Sequence, residues 1–213
     1  MWISLFNIFT KITAWPLQWL CFRTRVICAP GAEGGRRIRG SAIIVSNHTS
    51  VFDYAVFLFV FFSRTLRYQM AEVLFEKKPL GLLLKMLGGI RVERNGRDFS
   101  FLHKSEEILR RGGVVGVFPE SRLPREGEER PLPFKPSAAY LALLSGTKVI
   151  PVYTNGSYFS RRRACVVIGA PLYASELVRE ELGDKENIAA VSEELRRRVI
   201  ELEGVYRERY GEK

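Results

Sequence analysis

One short stretch carries residues with obvious chemical potential: Ser46-Asn47-His48-Thr49-Ser50-Val51-Phe52-Asp53. It follows Ser41 to Val45, an apolar run that reads as a buried strand, and strand ends are where α/β proteins hold their sites. A histidine and an aspartate five positions apart would diverge on a regular helix, whereas a turn can bring the carboxylate onto the imidazole. The pair would then be a base and its orienter. Asp53 would accept one ring N–H and fix the tautomer, raising the basicity of the other nitrogen, which could take a proton from an alcohol. A strand-capping His48 beside an unrelated helix-capping Asp53 has the same spacing, so spacing alone leaves both readings open.

Other polar residues read more plainly. His103 sits in an amphipathic helix among Lys104, Glu106 and Glu107 and is a surface residue, while Ser50 is a turn-stabilising hydroxyl. Arg161-Arg162-Arg163 precedes a strand and is either a solvated hairpin tip or a contact for anionic lipid or coenzyme phosphates. Gly88, Gly89 and Gly96 lack the order of a dinucleotide-binding loop. Three cysteines without a Cys-x-x-Cys spacing, and two histidines, point to reduced thiols and to no disulfide framework and no zinc site.

The elements that must position these residues follow from the periodicity. Strands are predicted at Ser41–Val45, Leu66–Met70, Ile90–Val92, Val114–Phe118, Val149–Tyr153 and Cys165–Ile168. Helices are predicted at Tyr54–Phe62, Pro79–Leu87, Phe99–Arg111, Ser137–Leu144 and Asn187–Tyr206. The alternation predicts an α/β domain, a central mixed, mostly parallel sheet flanked by helices. With 213 residues, 46% of them hydrophobic and 26% charged, the chain can bury one full core, which excludes collagen-like and disordered classes. Its net charge of +10 calls for an anionic partner.

Residues 1–30 differ from the rest. Ser4, Asn7, Lys11 and Gln18 form a narrow polar stripe, and Trp2, Phe6, Phe9, Trp15, Trp19 and Phe22 cover the remaining circumference. That is the pattern of an amphipathic helical segment lying in a membrane interface, and all three tryptophans of the chain fall within it. Lys11 and Pro16 interrupt what would otherwise be a spanning helix of about 20 apolar residues. No basic n-region or small-residue cleavage site marks a signal peptide. The glycine-rich stretch Gly31–Gly40 sets the boundary, giving a membrane-associating segment, 1–30, and an α/β domain, 31–213.

Four blocks in order resemble the glycerolipid acyltransferase family that includes the lysophosphatidic acid acyltransferases. Asn47-His48 with four residues before Asp53 matches its Asn-His-X4-Asp signature, and Gly89-Ile90-Arg91-Val92-Glu93-Arg94 resembles its second block. Phe118-Pro119-Glu120-Ser121-Arg122 resembles the third and Val149-Ile150-Pro151-Val152 the fourth. Ser121 and Ser137 stand where the family usually has glycine, and no lysine precedes Glu72.

The resemblance implies that His48 and Asp53 are catalytic. It implies that Asn47, Arg94, Glu120, Ser121, Arg122 and Lys135 contact substrate, with the two arginines on the acceptor's phosphate and Glu120 holding Arg122. The implied reaction moves a fatty acyl group from acyl-CoA or acyl-ACP to the hydroxyl of 1-acylglycerol 3-phosphate (lysophosphatidic acid), giving phosphatidic acid. It needs no metal and no cofactor beyond the thioester co-substrate. The implied setting is the cytoplasmic face of a phospholipid bilayer, with peripheral or monotopic attachment and no nucleic acid. Transfer to glycerol 3-phosphate or another lysolipid, and a non-catalytic basic membrane-binding module, are the alternatives.

Overall fold

The strand β2 (Ala42–Ser46) is buried at every residue because helices cover both faces of the sheet it centres. The computed structural model describes residues 2–32, 34–93 and 98–211. Among the described residues, β1 (Arg25–Cys28), β2, β3 (Leu66–Ala71), β4 (Ile90–Val92), β5 (Val114–Val117), β6 (Val149–Thr154) and β7 (Cys165–Ile168) form one sheet. Its order is β1-β7-β6-β2-β5-β3-β4. All neighbours are parallel except β6 and β7, which is the mixed, mostly parallel sheet that the alternation predicts. One consequence matters below: β1 and β7 run against β2 and β6, so they begin at the end of the sheet where β2 and β6 finish.

The helices are α1 (Trp2–Thr13), α2 (Trp15–Phe22), α3 (Asp53–Val60), α4 (Glu72–Glu76), α5 (Leu80–Leu87), α6 (Ser100–Arg110), α7 (Ser137–Ser145) and α8 (Asp184–Tyr210). Side chains alternate across the sheet. Ile43, Val45, Val115 and Val117 meet Leu141 of α7 and Val191, Leu195 and Val199 of α8. Ala42, Ile44 and Val114 face the other way, onto Val56, Phe57 and Val60 of α3. Gly116 of β5 is where Tyr68 crosses the sheet: a β-carbon there would lie 2.2 Å from the ring.

The N-terminal segment departs from the expected single helix. It breaks between α1 and α2 at Ala14, with Pro16 in the first turn of α2, where a missing N–H costs nothing. Its polar stripe is turned onto the protein. Asn7 donates to the Leu87 carbonyl at 2.9 Å, Lys11 to those of Phe62 and Arg64 at 3.0 and 2.6 Å, and Gln18 to Thr24 at 3.0 Å. Asn7, Lys11 and Gln18 are buried, whereas Trp2, Phe9, Ile12, Leu17 and Trp19 are exposed. The expected boundary after residue 30 also shifts. Strand β1 lies before it and pairs with β7, so the sheet begins inside the N-terminal segment. Nor was α4 expected, because Glu72–Glu76 is too short to show a helical period.

Candidate active site

Backbone geometry builds the site at the end of β2. The chain leaves β2 at Ser46, turns through residues 47–50, and enters α3 at Asp53. Asp53 Oδ2 accepts the backbone N–H groups of Thr49 and Ser50 at 2.7 and 2.9 Å, and Oδ1 accepts the Thr49 hydroxyl at 2.8 Å. These bonds fold the turn back, and His48 Nδ1 arrives 2.8 Å from Asp53 Oδ2. An acceptor-only carboxylate places the proton on Nδ1, which leaves the Nε2 lone pair for substrate. Asp53 is fully buried, while the His48 side chain is 20% exposed. The imidazole therefore reaches the surface and the carboxylate behind it does not. Of the two sequence readings, the paired one is what the chain forms.

Aromatic packing fixes the ring plane. His48 stacks on Phe118 with centroids 4.3 Å apart and planes 18° off parallel, and Phe118 leans on Tyr68 at 4.8 Å. The turn is also held from the next strand. Glu120, just beyond β5, accepts the His48 N–H at 2.7 Å and the Leu132 N–H at 2.8 Å. Burial pushes the Glu120 carboxyl up, and these two donors oppose that shift.

Tyr158 completes the arrangement. Its hydroxyl donates to Asp53 Oδ1 at 2.6 Å and lies 2.9 Å from the Thr154 hydroxyl. Burial and the neighbouring Asp53 charge push the tyrosine well up, so it keeps its proton and remains a donor. Sequence inspection missed Tyr158, Thr49 and Phe118. Thr49 carried a local signal, a hydroxyl inside the His48–Asp53 turn, and Phe118 opens the third block without a role being read for it; Tyr158 comes from a loop after β6.

The remaining expected residues take up different roles. Asn47 is buried and clasps β6: its amide donates to the Thr154 carbonyl and accepts the Thr154 N–H, both at 2.8 Å. That occupies the amide in bracing the strand ends instead of leaving it for substrate. Glu120 does not hold Arg122; Glu128 does, through two bonds of 2.7 Å. This pair is exposed and pulls the Glu128 carboxyl down to about 2. Ser121, next to Glu120, has φ 62°, a left-handed backbone that glycine adopts freely and serine does not. Lys135 has an exposed side chain, and its N–H ties back to the Pro119 carbonyl at 2.8 Å. Arg94 lies outside the described residues.

The chain that builds this site has counterparts among known proteins. A family model described as Acyltransferase matches residues 30–155, more than half of the 213 residues. The chain belongs to the acyltransferase family. All four blocks of the resemblance fall within the matched residues. The 1-acyl-sn-glycerol-3-phosphate acyltransferase of Bacillus subtilis is 29% identical over 65% of this acyltransferase and 69% of its own length. The protein of the same name from Borreliella burgdorferi is 27% identical over 57% of this chain, and the human 1-acyl-sn-glycerol-3-phosphate acyltransferase beta is 31% identical over 55%. The match spans about half or less of these last two, 49% and 42% of their lengths.

The crystal structure of the 1-acyl-sn-glycerophosphate (LPA) acyltransferase PlsC from Thermotoga maritima shares the fold. Its TM-score is 0.65 at 23% identity, over 94% of this acyltransferase and 79% of that chain.

Proposed function

We propose that this acyltransferase moves a fatty acyl group from an acyl thioester, acyl-CoA or acyl-ACP, to the free hydroxyl of 1-acylglycerol 3-phosphate, forming phosphatidic acid. The observation that carries the reading is the His48–Asp53 pair, 2.8 Å apart, with the aspartate sealed and the histidine open. An alcohol is a poor nucleophile at neutral pH, so its proton must be taken as it attacks. His48 Nε2 removes that proton while the hydroxyl oxygen bonds to the thioester carbonyl carbon. As the tetrahedral intermediate collapses, the C–S bond breaks and the imidazolium returns the proton to the departing thiolate. Atoms and charge balance without an acyl-enzyme. Asp53 stabilises the imidazolium between the two steps and keeps its own charge.

Arg122, exposed two residues after Glu120, offers a planar fork to the acceptor's phosphate once that phosphate replaces the Glu128 carboxylate. Arg94 is assigned to the same phosphate by the family block that it ends.

The enzyme works on the surface of a phospholipid bilayer, at its cytoplasmic face. Support comes from the outward apolar face of α1 and α2, which continues onto α5 through exposed Leu82, Leu83 and Met86. Among the described residues, no helix is long and apolar enough to cross a membrane, so this reading has the segment lie in one leaflet.

The test compares lysophosphatidic acid, glycerol 3-phosphate and no acceptor, with thiol release from acyl-CoA or acyl-ACP as the readout. Release that depends on lysophosphatidic acid is expected. A rate that appears only with glycerol 3-phosphate would keep the chemistry and overturn the acceptor.

A further inference from the structure

Five arginines, Arg23, Arg25 and Arg161 to Arg163, line a concave cleft of about 480 Å³ together with the rings of Tyr206 and Tyr210. No carboxylate lines it among the described residues. The catalytic dyad does not use this cleft, and its chemistry is specific. Clustered guanidinium groups concentrate positive potential and match a ligand carrying several phosphate charges. The volume falls within the range of small-molecule sites, and a concave wall suits a small polyanion better than the convex acidic face of a protein. Arg25 stands over the Tyr210 ring at 5.6 Å, and Tyr206 packs 5.3 Å from Tyr210. An aromatic surface beside the arginines is what a nucleobase next to its phosphates requires. Arg23 also holds a left-handed backbone, φ 46°, at the end of α2, a conformation that a side-chain-bearing residue adopts only against its preference.

Position ties the cleft to the site. Because β1 and β7 begin where β2 and β6 end, Arg25 and the loop before Cys165 share the sheet edge that bears His48. β7 lies two strand spacings from β2 and β1 lies three, about 10 and 15 Å. The loop that supplies Arg161 to Arg163 also supplies Tyr158, the donor to Asp53.

We propose that this cleft binds the phosphate-bearing nucleotide end of the acyl donor, coenzyme A in chemical terms, with the long thiol arm running along the sheet end to His48. The proposal rests on the acyl-transfer reading above and narrows its donor.

The experiment titrates the full chain in detergent with coenzyme A and with adenosine 3′,5′-bisphosphate, using wild type, R161E/R163E and the charge-preserving R161K/R163K. Thermal melts first establish that each variant is folded. Wild type should bind both ligands, the reversal should weaken both at least tenfold, and the lysine variant should retain most of the affinity. In turnover, the reversal should raise KM for acyl-CoA at least tenfold and leave kcat and the acceptor KM within twofold. If nucleotide binding is lost on reversal but no lysophospholipid is acylated, the site stands and the reading of the reaction falls. The site is overturned if wild type binds neither ligand, or if reversal leaves nucleotide affinity unchanged. It is equally overturned if reversal acts only on KM for acyl-ACP or only on binding to anionic vesicles.

Discussion

Tyr158 reaches across 105 residues of sequence to donate a 2.6 Å hydrogen bond to Asp53, the residue that holds His48. Asp53 thus has both oxygens engaged: Oδ2 faces His48 and the turn amides, while Oδ1 faces Tyr158 and Thr49. A carboxylate fixed on two sides cannot swing, and the imidazole plane is set with it.

Tyr158→Phe keeps the ring and its packing on Phe22 and removes the hydrogen bond to Asp53. A hydrogen bond to a charged group contributes about 1.5–3 kcal/mol. If part of that steadies the dyad, kcat should fall about tenfold, corresponding to ~1.4 kcal/mol, with KM for both substrates little changed. Steady-state kinetics with each substrate varied makes the check. An unaltered kcat would show Tyr158 to be packing alone.

The site was only partly legible in the sequence, for physical reasons that differ by residue. His48 and Asp53 lie in one turn, so their pairing needed only local folding to be foreseen. The same holds for the strands: β2 and β5 are short apolar runs buried on both faces, which read directly as strands. Tyr158 reaches the site, and Glu120 reaches the His48 N–H instead of Arg122, because β6 and β5 flank β2, and that adjacency is a tertiary fact with no local signature. The four-residue β1 opens on an arginine and alternates weakly, so it did not stand out from the polar stretch after it. The N-terminal stripe was visible, but its direction was not: Lys11 finds two carbonyls on the protein, at Phe62 and Arg64, that periodicity does not reveal.

Lys11 carries a pH signature. Burial lowers its ammonium from 10.5 to about 8. Between those values the unfolded chain binds a proton that the folded chain does not, so stability rises with pH from about 8 to about 10.5. Below that window the buried charge opposes the docking of α1 by a constant amount. Thermal melts across pH 7–11 should show this rise in wild type and a flatter profile in Lys11→Met. Identical slopes in the two proteins would contradict the assignment.

Ser121→Gly should stabilise the fold. Serine at φ 62° pays a conformational cost of about 1–2 kcal/mol, of which the extra chain entropy of glycine returns about 0.5–1. The expected net gain is about 0.5–1 kcal/mol, read by chemical denaturation. A loss of stability would mean that the hydroxyl holds the turn more strongly than its 3.4 Å contact with the Pro119 carbonyl indicates.

Gly116→Ala should do the opposite. Its β-carbon would sit 2.2 Å from the fully buried Tyr68 ring, which in turn packs on Phe118 beneath His48. Overpacking of this kind costs about 1–3 kcal/mol. Activity should fall along with stability, since the displaced ring supports the stack under the base. Retained stability with retained activity would show that Tyr68 can move freely.

The account turns on His48 as the base. Its most direct test is the rate of acyl transfer to lysophosphatidic acid by wild type and His48→Ala, both shown to be folded by matching thermal melts. General-base catalysis contributes about 10²- to 10⁴-fold, so the variant should lose at least about a hundredfold in kcat and still bind the acceptor. A folded His48→Ala that transfers as fast as wild type would contradict the mechanism at its centre.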